Sequence, residues 1–330
     1  MFKIYSEKNS FENIVLYKED TPNWNKIFLQ HADIHLNMTQ PDIDAECVEG
    51  TVIFEFIKAN GGRIPKASDA YFANLYANNA RMVDMPRAAF FVRGTPADAL
   101  AAQNAYGVIV QSVDAIDDSV LNLSFFREVT KDEVIDDGAL IGWMRLLKLD
   151  FPPSNSVVVS DPYLFSNSEV VGGVHISIGE RNTIRLLDGL LPATLSTDYH
   201  VTIVAERVNK SDNWHNTLVA NLQANIQALR NTYAIVTEVI FLKSEHLHKR
   251  RLVLNYVNGS CDKGFGVFKV ADDRTVRSNN DVRLSHIFSG IIGRIGDTEY
   301  DSATKGLLQV KNEYQRGGGP ALINRLINDV

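Results

Sequence analysis

Ser244 to Tyr256 reads Ser-Glu-His-Leu-His-Lys-Arg-Arg-Leu-Val-Leu-Asn-Tyr, with two imidazoles and three cations inside six residues. An imidazole can attack phosphorus or deliver a proton, and a guanidinium clamps phosphate in a planar fork. His248 and Arg250 are therefore the candidates for phosphoryl chemistry. His246, Lys249 and Arg251 are the candidates for holding the ligand. A metal reading also exists, because residues i and i+2 of a strand face the same side and His246 and His248 could share one ion. Three adjacent cations oppose it, as does the single nearby carboxylate, Glu245, so no metal and no cofactor are expected.

An apolar-rich run from Thr232 precedes this knot. Gly264-Phe265-Gly266-Val267-Phe268 follows it, which places the knot between strands rather than in a tail. Upstream, Val157-Val158-Val159-Ser160-Asp161-Pro162-Tyr163 reads as a buried strand leaving through an Asp-Pro turn. Asp161 and Tyr163 thus stand where α/β folds collect ligands.

The spacing His248-x-Arg250-x4-Asn255 resembles the His-x-Lys-x4-Asp signature of the phospholipase D superfamily, with arginine for lysine and asparagine for aspartate. The chain is more similar to the phospholipase D-like domain at the C-terminus of MIT-domain proteins and in bacterial relatives. There a strand ending in Asp-Pro-Tyr is followed by Leu-His-Asp-Arg and then by Gly-x-Gly-hydrophobic-x-x-Phe. Here these read Asp161-Pro162-Tyr163, Leu247-His248-Lys249-Arg250 and Gly264-Phe265-Gly266-Val267-Phe268, over residues 155–270.

The resemblance implies His248 as nucleophile, Arg250 as phosphate clamp and Asn255 in the aspartate's place. Lys249 departs from the family's acidic residue, and Asn255 carries no charge with which to orient an imidazole. Only one such motif occurs, so an active enzyme requires a homodimer that brings two copies together. The expected function is a self-associating module that binds a phosphate-bearing ligand or an acidic partner, with nucleic acid or a phospholipid headgroup as the ligand classes. The resemblance also implies an accessory or defence-related bacterial role. The alternative is a metal-independent, dimeric phosphodiesterase or nuclease with His248 as nucleophile.

Other candidates carry less. Pro41-Asp42 with Glu55-Phe56-Ile57-Lys58 approaches a Pro-Asp…Asp/Glu-x-Lys nuclease pattern, but the lysine comes one residue too late, which on a strand turns it to the opposite face. His175, His200 and His215 stand singly and read as structural. Gly172-Gly173 lacks the Lys-Ser/Thr of a phosphate loop, and Gly317-Gly318-Gly319 follows a helix.

The composition is that of a globular protein. The chain has 330 residues, 45% hydrophobic and 22% charged, with no apolar run near the roughly 20 residues that span a bilayer and no apolar signal core at its start. A cytoplasmic location is expected. Cys47 and Cys261 read as reduced thiols. The net charge of −7 is uneven: of 33 basic and 40 acidic residues, 19 and 18 fall in 151–330, so 14 and 22 precede them. An acidic half does not attract a polyanion through its bulk field, and any such contact must be a local patch in the second half.

Two prolines at 152 and 153 mark the expected boundary between an acidic α/β domain, 1–150, and a phospholipase D-like domain, 155–330, with a helical tail. In the first, Thr21-Pro22, Ser68 and Thr95-Pro96 read as helix starts, and Ala88 to Val92 and Val108 to Val110 as strands. In the second, strands to Ser160, at 200–204 and at 234–242 alternate with helices at 181–190 and 212–230. A hairpin at Asn258-Gly259 makes the later strands antiparallel. The expected fold class is α/β, two-domain, with a C-terminal mixed sheet flanked by helices.

Overall fold

The structure, a computed structural model, describes residues 1–121, 124–148, 150–243, 245, 247, 249–288 and 299–330, the side chains of 124, 125, 136 and 137 excepted. It has two compact units, Met1–Asn122 and Leu123–Val330. The prolines are therefore not the boundary. Residues 124–150 belong with the second unit, because strand pairing rather than local stiffness decides membership. The charge asymmetry survives this correction: residues 1–122 carry 10 basic and 16 acidic residues, and 123–330 carry 23 and 24.

The first unit runs β1 (Phe2–Ser6), α1 (Lys8–Leu16), α2 (Pro22–Gln30), β2 (Ala32–Leu36), α3 (Gln40–Ala45), α4 (Val52–Ala59), β3 (Lys66–Ala67), α5 (Asp69–Ala77), β4 (Ala89–Val92), α6 (Pro96–Tyr106) and β5 (Ile109–Ser112). Its sheet is parallel, in the order β3-β2-β1-β4-β5. Ala89 to Val92 are all buried, as expected of a strand covered by helices on both faces. Thr95 and Asp98 cap α6 reciprocally, and Gly107 ends it in the left-handed region at φ +63°. Glu55 and Lys58 lie on α4, not on the strand that the nuclease comparison assumed.

The second unit runs β6 (Ser124–Val129), β7 (Asp136–Asp137), β8 (Leu140–Ile141), α7 (Trp143–Leu146), β9 (Ser156–Ser160), β10 (Ser168–Val171), β11 (Val174–Ser177), α8 (Ile178–Leu190), β12 (Tyr199–Ala205), α9 (Asp212–Gln227), β13 (Ile235–Phe241), β14 (Arg251–Leu254), β15 (Val257–Cys261), β16 (Asn280–His286), α10 (Glu299–Arg316) and α11 (Arg325–Asn328). Its main sheet is ordered β13-β12-β9-β14-β15-β16-β6. The first three strands are parallel and the rest antiparallel. The fold class is therefore α/β.

Both faces of this sheet are covered. Val157, Val159, Leu252 and Leu284 bury against α8 and α9 through Leu186, Leu187, Leu218 and Leu222. Val158, Val204 and Val253 bury against α10 and α11 through Leu307, Val310, Leu326 and Ile327. The period-2 alternation of β14 thus serves two cores, which leaves Arg251 on the α10 face. No helix among the described residues is long and apolar enough to cross a membrane.

Candidate functional site

Asp161 stands at the end of β9 and is almost fully buried, at 2% exposure. Its Oδ1 accepts the Tyr163 N–H at 3.0 Å and its Oδ2 the Phe265 N–H at 2.9 Å. Gly264, at φ +94°, makes this approach possible, because a Cβ there would sit 2.5 Å from Asp161 Oδ2. Arg250 Nε lies 3.6 Å from Asp161 Oδ1, an ionic contact longer than a hydrogen bond. The same guanidinium donates to the Asp262 carbonyl at 2.8 Å and lies over the Tyr163 ring, 5.3 Å from its centroid. Burial pushes the Asp161 carboxyl above the ordinary carboxylate range, against the pull of the two N–H donors and Arg250.

Asp161-Pro162-Tyr163, Arg250 and Gly264-Phe265-Gly266 therefore meet, although about ninety residues separate the first from the second. A sulfur completes this clasp. Cys261 Sγ contacts the Gly264 carbonyl at 3.1 Å, and Asn280 Nδ2 reaches both that carbonyl and the sulfur at 3.0 Å. Burial raises the Cys261 thiol pKa, so it stays protonated. Cys47 and Cys261 are both free.

Asn255 does not join the site. It is fully buried beyond the far end of β14, where its Oδ1 accepts the Asn155 N–H and its Nδ2 donates to Asn155 Oδ1, both at 3.2 Å. The physical reason is reach: five residues of extended chain carry it roughly 17 Å from Arg250. Asn255→Ala is expected to cost roughly 1 to 3 kcal/mol of stability, because it takes the acceptor from the buried Asn155 N–H, and to leave anion binding unchanged. Urea unfolding and a pyrophosphate titration of the same variant check both parts. His246 and His248 lie outside the described residues.

The pleat separates the cations of the knot. Arg250 turns to the Asp161 clasp, whereas Arg251 turns under α10, where its Nη1 donates to the Ser302 carbonyl and, at 3.2 Å, to the Ser302 hydroxyl. The register then sets Ser160, Arg251, Ser260 and Arg283 side by side across β9, β14, β15 and β16. Directly opposed residues of antiparallel strands share a face, so this row is a single feature of the sheet. It borders a cleft of about 230 Å³ that Lys249, Arg250, Arg251 and Arg283 also line.

Glu299 is the one carboxylate lining that cleft among the described residues. It accepts from Asn258 Nδ2 at 2.6 Å and lies 3.4 Å from Arg283. Burial lowers the Arg251 pKa, with Glu299 opposing.

Sequence reasoning missed Arg283, Ser260 and Ser302. Arg283 occupies the outward beat of Asp281-Val282-Arg283-Leu284, a signal that was present, but only strand register says that it neighbours Arg251. No family model matches the chain, and no curated protein matches it.

Proposed function

We propose that the second unit binds a phosphate-bearing ligand in the cleft between the β14–β16 sheet face and α10. The observation that carries this reading is the row Ser160, Arg251, Ser260 and Arg283. Two guanidiniums flank a serine hydroxyl on three adjacent strands, which spaces their Cα atoms roughly 10 Å apart, within clamping reach of one phosphate or of two linked phosphates. Lys249 adds a third, exposed charge. Because one chain supplies every one of these groups, binding needs no second copy.

Arg250 contributes less than the phospholipase D-like resemblance implies, since Asp161, Tyr163 and the Asp262 carbonyl already hold its guanidinium. The phosphodiesterase alternative loses the aspartate's stand-in, because Asn255 is tied to Asn155 at the other end of β14.

The test is titration with inorganic pyrophosphate. Arg283→Ala, at an exposed position, is expected to weaken binding by roughly tenfold to a hundredfold, the worth of a charge-assisted hydrogen bond. Arg251→Ala should do the same, Arg250→Ala should do less, and the wild-type affinity should fall as salt rises. Unchanged affinity in Arg283→Ala would end the proposal.

A further inference from the structure

A second cavity in this unit, of about 440 Å³, shares no lining residue with the cationic cleft. Its volume lies in the range of small-molecule sites. The loop leaving β9 supplies Phe165 and Asn167, the first turn of α8 supplies Glu180, and α9 supplies Trp214 and Asn221. Ser177 caps α8 by accepting the Glu180 N–H at 3.3 Å, which sets the carboxylate one turn into that helix. Phe165 is fixed from behind by Phe241, at 6.5 Å between ring centroids, and His215 packs edge-on against both Trp214 and Phe241. The aromatic wall is therefore held in place before any ligand arrives.

Glu180 distinguishes this cavity from a packing defect. Its carboxylate is half-buried, and among the described residues it has no ion-pair or hydrogen-bond partner. Desolvation raises its pKa. A carboxylate held out of water without a counter-charge is costly, and a ligand cation relieves that cost. Trp214 and Phe165 line the cavity, and aromatic side chains favour an ammonium that has shed part of its water. Asn167 and Asn221 can accept from its N–H groups.

We infer that this cavity is a binding site for a small organic cation, an alkylammonium group whose charge meets Glu180 and whose carbon skeleton lies against Trp214 and Phe165. Lys210, exposed and also lining the cavity, is a like charge that such a ligand must pass. The site takes the opposite ligand charge from the phosphate cleft, so the two readings stand or fall separately.

The experiment uses the full chain and n-butylammonium chloride as probe, followed through Trp214 fluorescence. Trp24 and Trp143 are buried, at 0% and 2% exposure, and should respond little. Saturable binding is expected, with 1-butanol, the uncharged counterpart, at least about tenfold weaker. Glu180→Gln should weaken n-butylammonium by about tenfold while leaving pyrophosphate binding intact. Lys210→Ala should tighten it by about twofold, a readout that does not depend on how Glu180→Gln folds. The proposal is overturned if n-butylammonium does not bind saturably, if 1-butanol binds as tightly, or if Glu180→Gln binds n-butylammonium like the wild type.

Discussion

Asp161→Ala is expected to destabilise the second unit by about 2 to 4 kcal/mol. The substitution strands the buried Phe265 N–H, at a cost of roughly 1 to 3 kcal/mol, and takes the acceptor from the part-buried Tyr163 N–H, which costs less. It also removes the carboxylate beside Arg250. The raised Asp161 pKa offsets part of this, because a carboxyl that burial disfavours as an anion is itself a cost that the alanine no longer carries. The net loss corresponds to roughly 5 to 15 °C in Tm for a unit of this size. Urea unfolding monitored by circular dichroism measures it. A midpoint equal to that of the wild type would show that the clasp of Asp161, Gly264 and Phe265 does not hold the motif segments together.

Acidification should destabilise the same unit, through histidines buried in the neutral form. His286 is fully buried between Tyr256 and Phe288, with stacked centroids at 6.3 and 5.6 Å, and burial lowers its pKa to about 3. His200 falls to about 4, chiefly through burial and then through Arg325. An unfolded histidine titrates near 6.5, so below that pH the unfolded chain takes up a proton that the folded state refuses.

The stabilisation is therefore complete above pH 6.5 and drains away as pH falls toward the folded values. At pH 5 the His286 share is about 2 kcal/mol. His286→Phe keeps an aromatic ring beside Tyr256 and Phe288, and should remove about half of the slope that His286 and His200 give this unit between pH 6.5 and 4. An unaltered pH dependence in that variant would show that His286 titrates as it does in the unfolded chain.

Local signals read well for the helices and the buried strands, but not for the hairpin: Asn258-Gly259 lies inside β15, and the turn from β14 falls at Asn255-Tyr256. Thr95-Pro96 starts α6, and the helix expected at 212–230 is α9 (Asp212–Gln227), with Leu218, Leu222 and Ile226 buried. The triple valine before Asp161 is β9, buried throughout. These features follow from capping chemistry and periodicity, which act within a turn or two of chain. The domain boundary was misread because two prolines are also a local signal. Ser124 to Val129 joins the second unit through a ladder with β16, more than 150 residues away, and no local pattern announces that pairing.

By itself, the sequence determined many of the helices and buried strands, the α/β class, the acidity of the first part and the presence of a cationic stretch that ends in a strand, but not β6, the β10–β11 hairpin or β16. Strand alternation alone would have turned Arg250 and Arg251 to opposite sides. Only the tertiary structure decided what each side meets: the Asp161 clasp for one, and Ser260, Arg283 and Ser302 for the other. It also removed Asn255 from the candidate site and placed Glu180 beside Trp214 and Phe165. The reason is that both clefts are built across β-strand registers and helix packing, where each contact joins residues far apart in the chain. Residue type and spacing set what a side chain can do, but not which partner it finds.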